Sequence, residues 1–145
     1  MIFEHEIRID RPAAEVFAFL ADPGRLEQWV QGLESVEIQP GPSSGAGTRF
    51  LETLAIAGQK LQLAGHIRAA VDGESLAVDL ENGDLGLSTA YSLRAEGAST
   101  LLHHEARIEL RSFMLRLVAG KIEEKGRERL WADLERLKQR LETRG

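Results

Sequence analysis

The sequence predicts an α+β domain in which one long C-terminal helix covers a sheet of seven antiparallel strands. Apolar residues recur every three to four positions from residue 113 to residue 141, which is the spacing of one face of an α-helix. Between residues 35 and 110, apolar and polar residues mostly alternate, as they do in half-buried strands. Because the helix and the sheet each have one apolar face, we expect these faces to be buried against each other.

Length, charge and composition narrow the class of protein. A chain of 145 residues suits one domain over residues 1–145. A net charge of −5 argues against a nucleic-acid-binding protein, and the absence of cysteine excludes disulfides and thiolate chemistry. No apolar run approaches the ~20 residues that span a bilayer, and the N-terminus does not resemble a signal peptide. We therefore expect a cytoplasmic protein with no transmembrane segment.

The chain begins with a strand and two short helices. Residues 2–9 alternate and predict a strand, with Phe3, His5, Ile7 and Ile9 on its apolar face. Pro12 fits the first turn of an amphipathic helix. Asp22 and Pro23 then resemble an N-cap and a first-turn proline, and they predict a second helix that ends near Trp29.

Six strands follow, and the long helix closes the chain. Turns are predicted at Ala57-Gly58, at residues 82–84 and at residues 96–99. The glycine-rich loop at residues 41–47 lacks the lysine of a phosphate cradle and leads into a strand, so we interpret it as a connector. The last helix carries charged residues, Asp133 among them, on the side opposite its apolar stripe.

The ordered features resemble the START / Bet v 1-like superfamily, also called SRPBCC or polyketide cyclase/dehydrase. Residues 7–17, IRIDRPAAEVF, are similar to the family's strand–proline–helix start, and residues 22–29, DPGRLEQW, to its D-P-x-x-x-x-x-W segment. Residues 91–102 resemble the penultimate hairpin and residues 134–142 the end of the final helix. The segment at residues 58–68 is also similar to the branch of the superfamily associated with carbon monoxide dehydrogenase.

This resemblance implies a helix-grip fold, in which a curved seven-stranded antiparallel sheet wraps around the C-terminal helix. Two short helices lie between strands 1 and 2, and a hydrophobic cavity lies between the sheet and the long helix. Members of the family bind lipids, sterols, polyketides and other apolar molecules, and some are cyclases or dehydratases. The family has no universal catalytic triad, so the resemblance assigns no catalytic residue, and we expect no cofactor.

Strand pairing predicts a polar row in that cavity. If Gly97-Ala98 is a two-residue hairpin loop, Tyr91 lies opposite His104 on the same side of the sheet. In the helix-grip order the first strand flanks the last strand, which brings His5 beside His104. A phenol and two imidazoles can polarise a carbonyl group or transfer a proton, or they can simply satisfy one another or a buried water.

The predicted ligand-binding residues combine this row with large apolar side chains. They are Phe3, His5, Phe17, Trp29, Phe50, Leu63, Tyr91, His104, Phe113, Met114, Leu117 and Val118. Glu52 lies two positions after Phe50 in the predicted strand, so we expect it on the same face, pointing inward. Arg49 lies on the opposite face and is expected to point into solvent. We expect no metal site, because His103 and His104 are strand neighbours and point to opposite faces.

The last helix is expected to divide into two parts with different roles. Residues 130–141 should pack on the sheet, and residues 113–122, which are apolar over a wider arc, should cover the cavity. Gly120 and Gly126 lie near the junction, and each costs about 1 kcal/mol of helix stability relative to alanine. We hypothesise that they allow the covering part to shift and admit a ligand.

Three functions are open from the sequence. The first is a carrier or sensor of one small hydrophobic ligand, such as a lipid, a polyketide or another apolar metabolite. The second is a polyketide cyclase/dehydratase-type enzyme that uses Tyr91, His104 and His5 as acid and base. The third is an accessory protein that docks on a partner. The sequence leaves the ligand undetermined and is compatible with a homodimer.

Overall fold

Seven antiparallel strands form one sheet in the order β1-β7-β6-β5-β4-β3-β2. The structure is a computed structural model that describes residues 1–56 and 59–144. The strands are β1 (Ile2–Ile9), β2 (Leu33–Ile38), β3 (Arg49–Ile56), β4 (Gln59–Val71), β5 (Ser75–Glu81), β6 (Leu85–Glu96) and β7 (Ser99–Leu110). Consecutive strands from β2 to β7 are neighbours, and β1 pairs with β7, so β1 and β2 are the two edges. The turn predicted at Ala57-Gly58 lies outside the described residues.

The helices lie between β1 and β2 and after β7. They are α1 (Ala13–Leu20), a 3₁₀ helix (Pro23–Gln28), α2 (Phe113–Leu117) and α3 (Ala119–Glu142). Asp22 caps the 3₁₀ helix as predicted, since its Oδ1 accepts a hydrogen bond from the backbone N–H of Gly24 at 3.0 Å. An antiparallel sheet, two short helices after the first strand and a long C-terminal helix confirm the predicted helix-grip fold.

The C-terminal helix is interrupted, contrary to the prediction of one continuous helix from residue 113. Val118, with φ −112° and ψ 22°, leaves the helical conformation between α2 and α3. Its N–H closes a three-residue turn on the carbonyl oxygen of Leu115 at 3.2 Å, and its own carbonyl accepts the N–H groups of Lys121 and Ile122. The break therefore lies at Val118 and not at Gly120 or Gly126.

The core lies where α1 and the second half of α3 cover one face of the sheet, which we call the inner face. Leu134, Leu137 and Leu141 of α3 are at most 1% exposed, as expected for the packed part of the helix. They share one cluster with β1 and β7 residues such as Ile9 and Leu102. Burial of each of these leucines contributes about 1.5–3 kcal/mol of stability.

Polar contacts fix α3 to both edges of the sheet. Lys138 Nζ donates to the carbonyl oxygen of Arg8 in β1 at 2.6 Å. On the other side, Asp133 Oδ1 accepts the N–H of Gln31, just before β2, at 3.0 Å. Because β1 and β2 are the two edge strands, α3 crosses the sheet from one edge to the other.

Candidate functional site

Three neighbouring strands place Tyr91, His104 and His5 in one row across the inner face. His104 of β7 is paired with Tyr91 of β6 and with His5 of β1. The predicted register is confirmed, because Glu96 pairs with Ser99 and leaves a two-residue turn. Gly97 adopts φ +63° in that turn, a conformation that glycine accepts without steric cost.

Aromatic contacts connect this row to the helix. The ring centroids of Tyr91 and His104 are 4.8 Å apart, and those of His104 and His5 are 6.1 Å apart. Trp131 of α3 stacks on His5 with a centroid distance of 5.7 Å. Trp131 is not among the residues predicted from the sequence, and it is 38% exposed and lies beside the predicted apolar stripe. The row thus runs from half-buried Tyr91, through buried His104, to a tryptophan at the surface.

Burial keeps every member of the row uncharged at neutral pH. It lowers the pKa of His104 to about 4, with smaller contributions from the neighbouring His5 and His103. Burial and the nearby charge of Arg127 also lower the pKa of His5. Burial, with a smaller contribution from the charge of Asp133, raises the pKa of the Tyr91 phenol, which stays protonated. These groups can donate and accept hydrogen bonds but carry no charge to attract an ion.

Three buried nitrogens of the protein have no hydrogen-bond partner among the described residues. They are Nδ1 of His5, Nδ1 of His104 and Nε1 of Trp29. His104 is 2% exposed and Trp29 is 5% exposed, so bulk solvent does not satisfy them. Most buried polar groups are paired, and an unpaired one costs about 1–3 kcal/mol. The interior therefore favours a polar atom of a bound molecule or water near these nitrogens.

Two buried carboxyl groups face the same interior. Glu52 of β3 is 4% exposed, as predicted for an inward side chain, and it has no hydrogen bond among the described residues. Burial is the main cause that raises the pKa of Glu52 to about 7, and the charge of Arg129 opposes it. Burial also raises the pKa of Asp133 to about 6, opposed by its hydrogen bond from Gln31.

The placement of Asp133 corrects the sequence analysis, which put it on the charged far side of the helix. It is 6% exposed because its carboxylate caps a backbone N–H in the segment before β2. A helical periodicity assigns a charged residue to solvent by default. It does not reveal a tertiary backbone partner, so no sequence signal identified this residue.

The predicted apolar lining residues of the strands and of α1 lie in the core. Phe3, Phe17, Phe50 and Leu63 are each at most 7% exposed. The ring of Phe50 lies across Gly65, where an added Cβ would come within 2.3 Å of Cζ. Toward α2 the inner face is less covered, and its side chains there are half-buried. These are Leu80, Leu85, Leu87, Ile108 and Leu110.

The prediction that residues 113–122 cover a cavity is wrong. Phe113, Met114, Leu117 and Val118 are 70%, 72%, 64% and 47% exposed, so they do not close the space between helix and sheet. The prediction assumed one continuous helix from residue 113 onward. The break at Val118 instead leaves α2 beside the end of β7, where Arg116 Nε donates to the carbonyl oxygen of Leu110 at 3.1 Å.

Gly126 lies over Phe3, as its position on the apolar stripe predicts, but it leaves little space. An added Cβ would meet the Phe3 ring at 3.5 Å, which is ordinary van der Waals contact. At Gly120 the same Cβ would meet nothing within 4 Å. The hypothesis that these glycines admit a ligand stays a prediction.

A groove of about 840 Å³ lies between β1 and α3. Its lining includes Ile7, Trp131, Arg136 and Lys138. The groove is open to solvent and lies outside the inner row, so it is not the enclosed cavity that the sequence predicts. It reaches Trp131, and therefore meets the outer end of the aromatic row.

His103 lies on the opposite face of the sheet from His104, as strand alternation predicts. It is flanked there by Glu4 at 3.8 Å and Glu6 at 3.6 Å. Ligand-type atoms of Glu4, His103 and Glu105 lie within 4.8 Å of one another. The group is partly open to solvent, and exposed acidic clusters of this kind are common without a metal ion.

Comparison with known proteins supports the same fold. The structure of TTHA0849 from Thermus thermophilus matches with a TM-score of 0.85 at 19% identity, over 100% of this chain and 99% of that one. A START superfamily protein from Mycobacterium smegmatis matches with a TM-score of 0.78 at 16% identity, over 99% of each chain.

An enzyme has the same fold. Norcoclaurine synthase from Thalictrum flavum, solved in complex with dopamine and hydroxybenzaldehyde, matches with a TM-score of 0.72. Its identity is 13%, over 100% of this chain and 88% of that one. At these identities the similarities establish the fold alone. No curated protein sequence matches the chain.

Within the described parts of the chain, no helix combines the length and the apolarity needed to cross a membrane. The resemblance to the branch associated with carbon monoxide dehydrogenase stays a prediction, since none of these matches bears on it. A family model described as polyketide cyclase / dehydrase and lipid transport matches residues 1–142. The chain therefore belongs to this family, within the START / Bet v 1-like superfamily, whose members generally bind hydrophobic ligands.

Proposed function

We propose that the protein binds one small hydrophobic molecule in the hollow between the inner face and α3. The observation that carries this proposal is the set of unpaired nitrogens on His5, His104 and Trp29 inside a largely apolar interior. A ligand with a carbonyl, hydroxyl or phenol group would pair with one or more of these atoms, while its apolar body replaces water against the half-buried leucines. Apolar burial would contribute about 25 cal/mol per Å² to the affinity.

The charge state of the row limits the chemistry of the ligand. Since both imidazoles are neutral at pH 7, they suit a neutral polar group better than an anion. The phenol of Tyr91 remains a hydrogen-bond donor over the same range. The ligand class that fits best is an apolar metabolite with one or two neutral oxygen functions.

Native mass spectrometry of protein purified from its own host tests this proposal. We expect a bound small molecule on the wild type and less of it on His104→Phe, which keeps an aromatic ring but removes both ring nitrogens. His66→Phe is the matched control. Neighbouring residues of a strand point to opposite faces, and Ile67 of β4 points into the core, so His66 points away from it. Wild-type protein without any bound molecule would support the accessory-protein alternative instead.

Catalysis is the second candidate, and the carboxyl groups of Glu52 and Asp133 favour it. Their pKa values, raised to about 7 and about 6, lie where a general acid or base works best at neutral pH. The predicted acid–base set of Tyr91, His104 and His5 has its pKa values moved away from neutrality, so the carboxyls are better suited to proton transfer. With a candidate polyketide substrate, Glu52→Gln should abolish turnover while His104→Ala weakens it. Unchanged turnover in both variants would rule out this chemistry.

A further inference from the structure

An apolar surface on α2 has no role in the proposed ligand site. Phe113, Met114, Leu117 and Val118 form this surface, which we call the α2 patch, and each exposes about half or more of its side chain. Within the described residues, no other segment this short exposes four large apolar side chains. Ser112 fixes the start of the helix, since its Oγ accepts the N–H of Leu115 at 3.2 Å. The patch is therefore held on an ordered turn of helix.

The α2 patch lies in a basic segment of an acidic protein. Residues 111–121 contain Arg111, Arg116 and Lys121 and no acidic residue, whereas the whole chain has a net charge of −5. Arg111 is paired with Glu81 at 3.3 Å and with Glu109 at 3.6 Å. Neither Arg116 nor Lys121 forms an ion pair with any residue that the structure describes. Two uncompensated cations thus flank the apolar side chains.

The size and the charge of the α2 patch together indicate which kind of partner it binds. A stable protein interface takes about 20–30 residues on each side, and the α2 patch is far smaller. Shallow insertion into a lipid surface needs only a few apolar side chains beside basic residues that meet anionic headgroups. We propose that the α2 patch docks the protein on an anionic lipid membrane, with Phe113, Met114 and Leu117 at the level of the headgroups.

The charge of the rest of the molecule orients this contact. Residues 1–110 contain 8 basic and 17 acidic residues, so an anionic membrane repels the sheet, whereas residues 122–145 nearly balance 7 basic with 6 acidic residues. Arg116 is held beside the patch, since its guanidinium donates to the carbonyl oxygens of Leu110 and Arg111 at 3.1 Å each. This inference concerns the outer surface and does not depend on a ligand in the hollow.

Vesicle co-sedimentation of the full chain tests the apolar part of the proposal. Wild-type protein should bind vesicles of phosphatidylcholine with about one-third phosphatidylglycerol, and should bind phosphatidylcholine alone much more weakly. The double variant Phe113→Ser/Met114→Ser should bind at least about tenfold more weakly. Ile2→Ser/Val71→Ser is the matched control, since it also removes two apolar side chains that are 52% and 50% exposed. Thermal unfolding verifies that both variants are folded.

A charge reversal tests the electrostatic part without touching the apolar side chains. Lys121→Glu should weaken binding to the anionic vesicles by roughly thirtyfold, because two elementary charges change beside the lipid surface. Lys60→Glu makes the same change in net charge on β4, at a side chain that is exposed and paired with Glu34. That control should stay within about twofold of the wild type if the contact is confined to α2.

Other occupants of the patch give different results. Equal vesicle binding by wild type and Phe113→Ser/Met114→Ser, or no binding by either, would overturn the proposal. A wild-type dimer in analytical ultracentrifugation that this variant abolishes, without vesicle binding, would identify a second copy as the occupant and would also overturn it.

Discussion

The two parts of the C-terminal segment have similar amphipathic patterns and opposite surroundings. In the second half of α3, Leu134, Leu137 and Leu141 are at most 1% exposed, whereas Phe113 and Met114 of α2 are 70% and 72% exposed. The first group crosses the sheet between its two edges, and the second lies beyond the break at Val118. The comparison teaches that periodicity identifies an apolar face but does not identify the surface that covers it.

The largest expected effect comes from truncating one leucine in each part. Leu137→Ala should lower the free energy of unfolding by about 2–5 kcal/mol, because it leaves a cavity in a fully packed site. Leu117→Ala removes a side chain that is 64% exposed and should change that free energy by less than about 0.5 kcal/mol. Urea unfolding of both variants measures the difference. Equal destabilisation would mean that α2 is packed after all.

The next effect concerns the polar interior beneath the packed part. Burial raises the pKa of Glu52 to about 7 from 4.5, so the stability that it contributes is complete below pH 4.5 and is lost as the pH rises through 7. Because the glutamine side chain of Glu52→Gln cannot ionise, this variant does not lose stability as the pH rises. Its free energy of unfolding relative to the wild type should therefore rise by as much as about 3 kcal/mol from pH 4.5 to pH 8. A difference that does not vary with pH would show that the carboxyl is solvated.

His104 should give the opposite slope. Its pKa falls from 6.5 to about 4 on folding, so the stability it contributes is complete above pH 6.5 and is lost as the pH falls through 4. His104→Phe has no imidazole to protonate. Its free energy of unfolding relative to the wild type should therefore rise by as much as about 3 kcal/mol as the pH falls from 7 to 4. Urea unfolding at several pH values measures it, with His66→Phe as the control. A gain of the same size in the control would assign the slope to other groups.

The smallest effects come from the two helical glycines. Gly120→Ala meets open space and Gly126→Ala meets the Phe3 ring at 3.5 Å, so both methyl groups fit. Each variant should be more stable by about 0.5–1 kcal/mol because alanine has the higher helix propensity. Thermal unfolding of each variant measures this gain. If both are stabilised and take up ligand as the wild type does, the glycines have no part in ligand entry.

Much of the fold was predictable because it depends on local patterns. Alternation and the turn at Gly97 determine strand register, and that register is sufficient to place Tyr91 opposite His104. The break at Val118 was not predictable, since neither helix propensity nor capping marks it. Asp133 and Trp131 were missed for a related reason: their contacts with Gln31 and His5 are between distant segments, and helical periodicity carries no information about such partners.

The most direct test compares an indole added inside the hollow with one added outside it. Leu87→Trp places the indole among the half-buried side chains of the inner face, and Leu117→Trp places it on the exposed side of α2. Native mass spectrometry of protein purified from its own host measures the small molecule that remains bound. We predict that Leu87→Trp loses this molecule and that Leu117→Trp keeps it at the wild-type level. Retention by Leu87→Trp, with its fold intact, would contradict a ligand in the hollow.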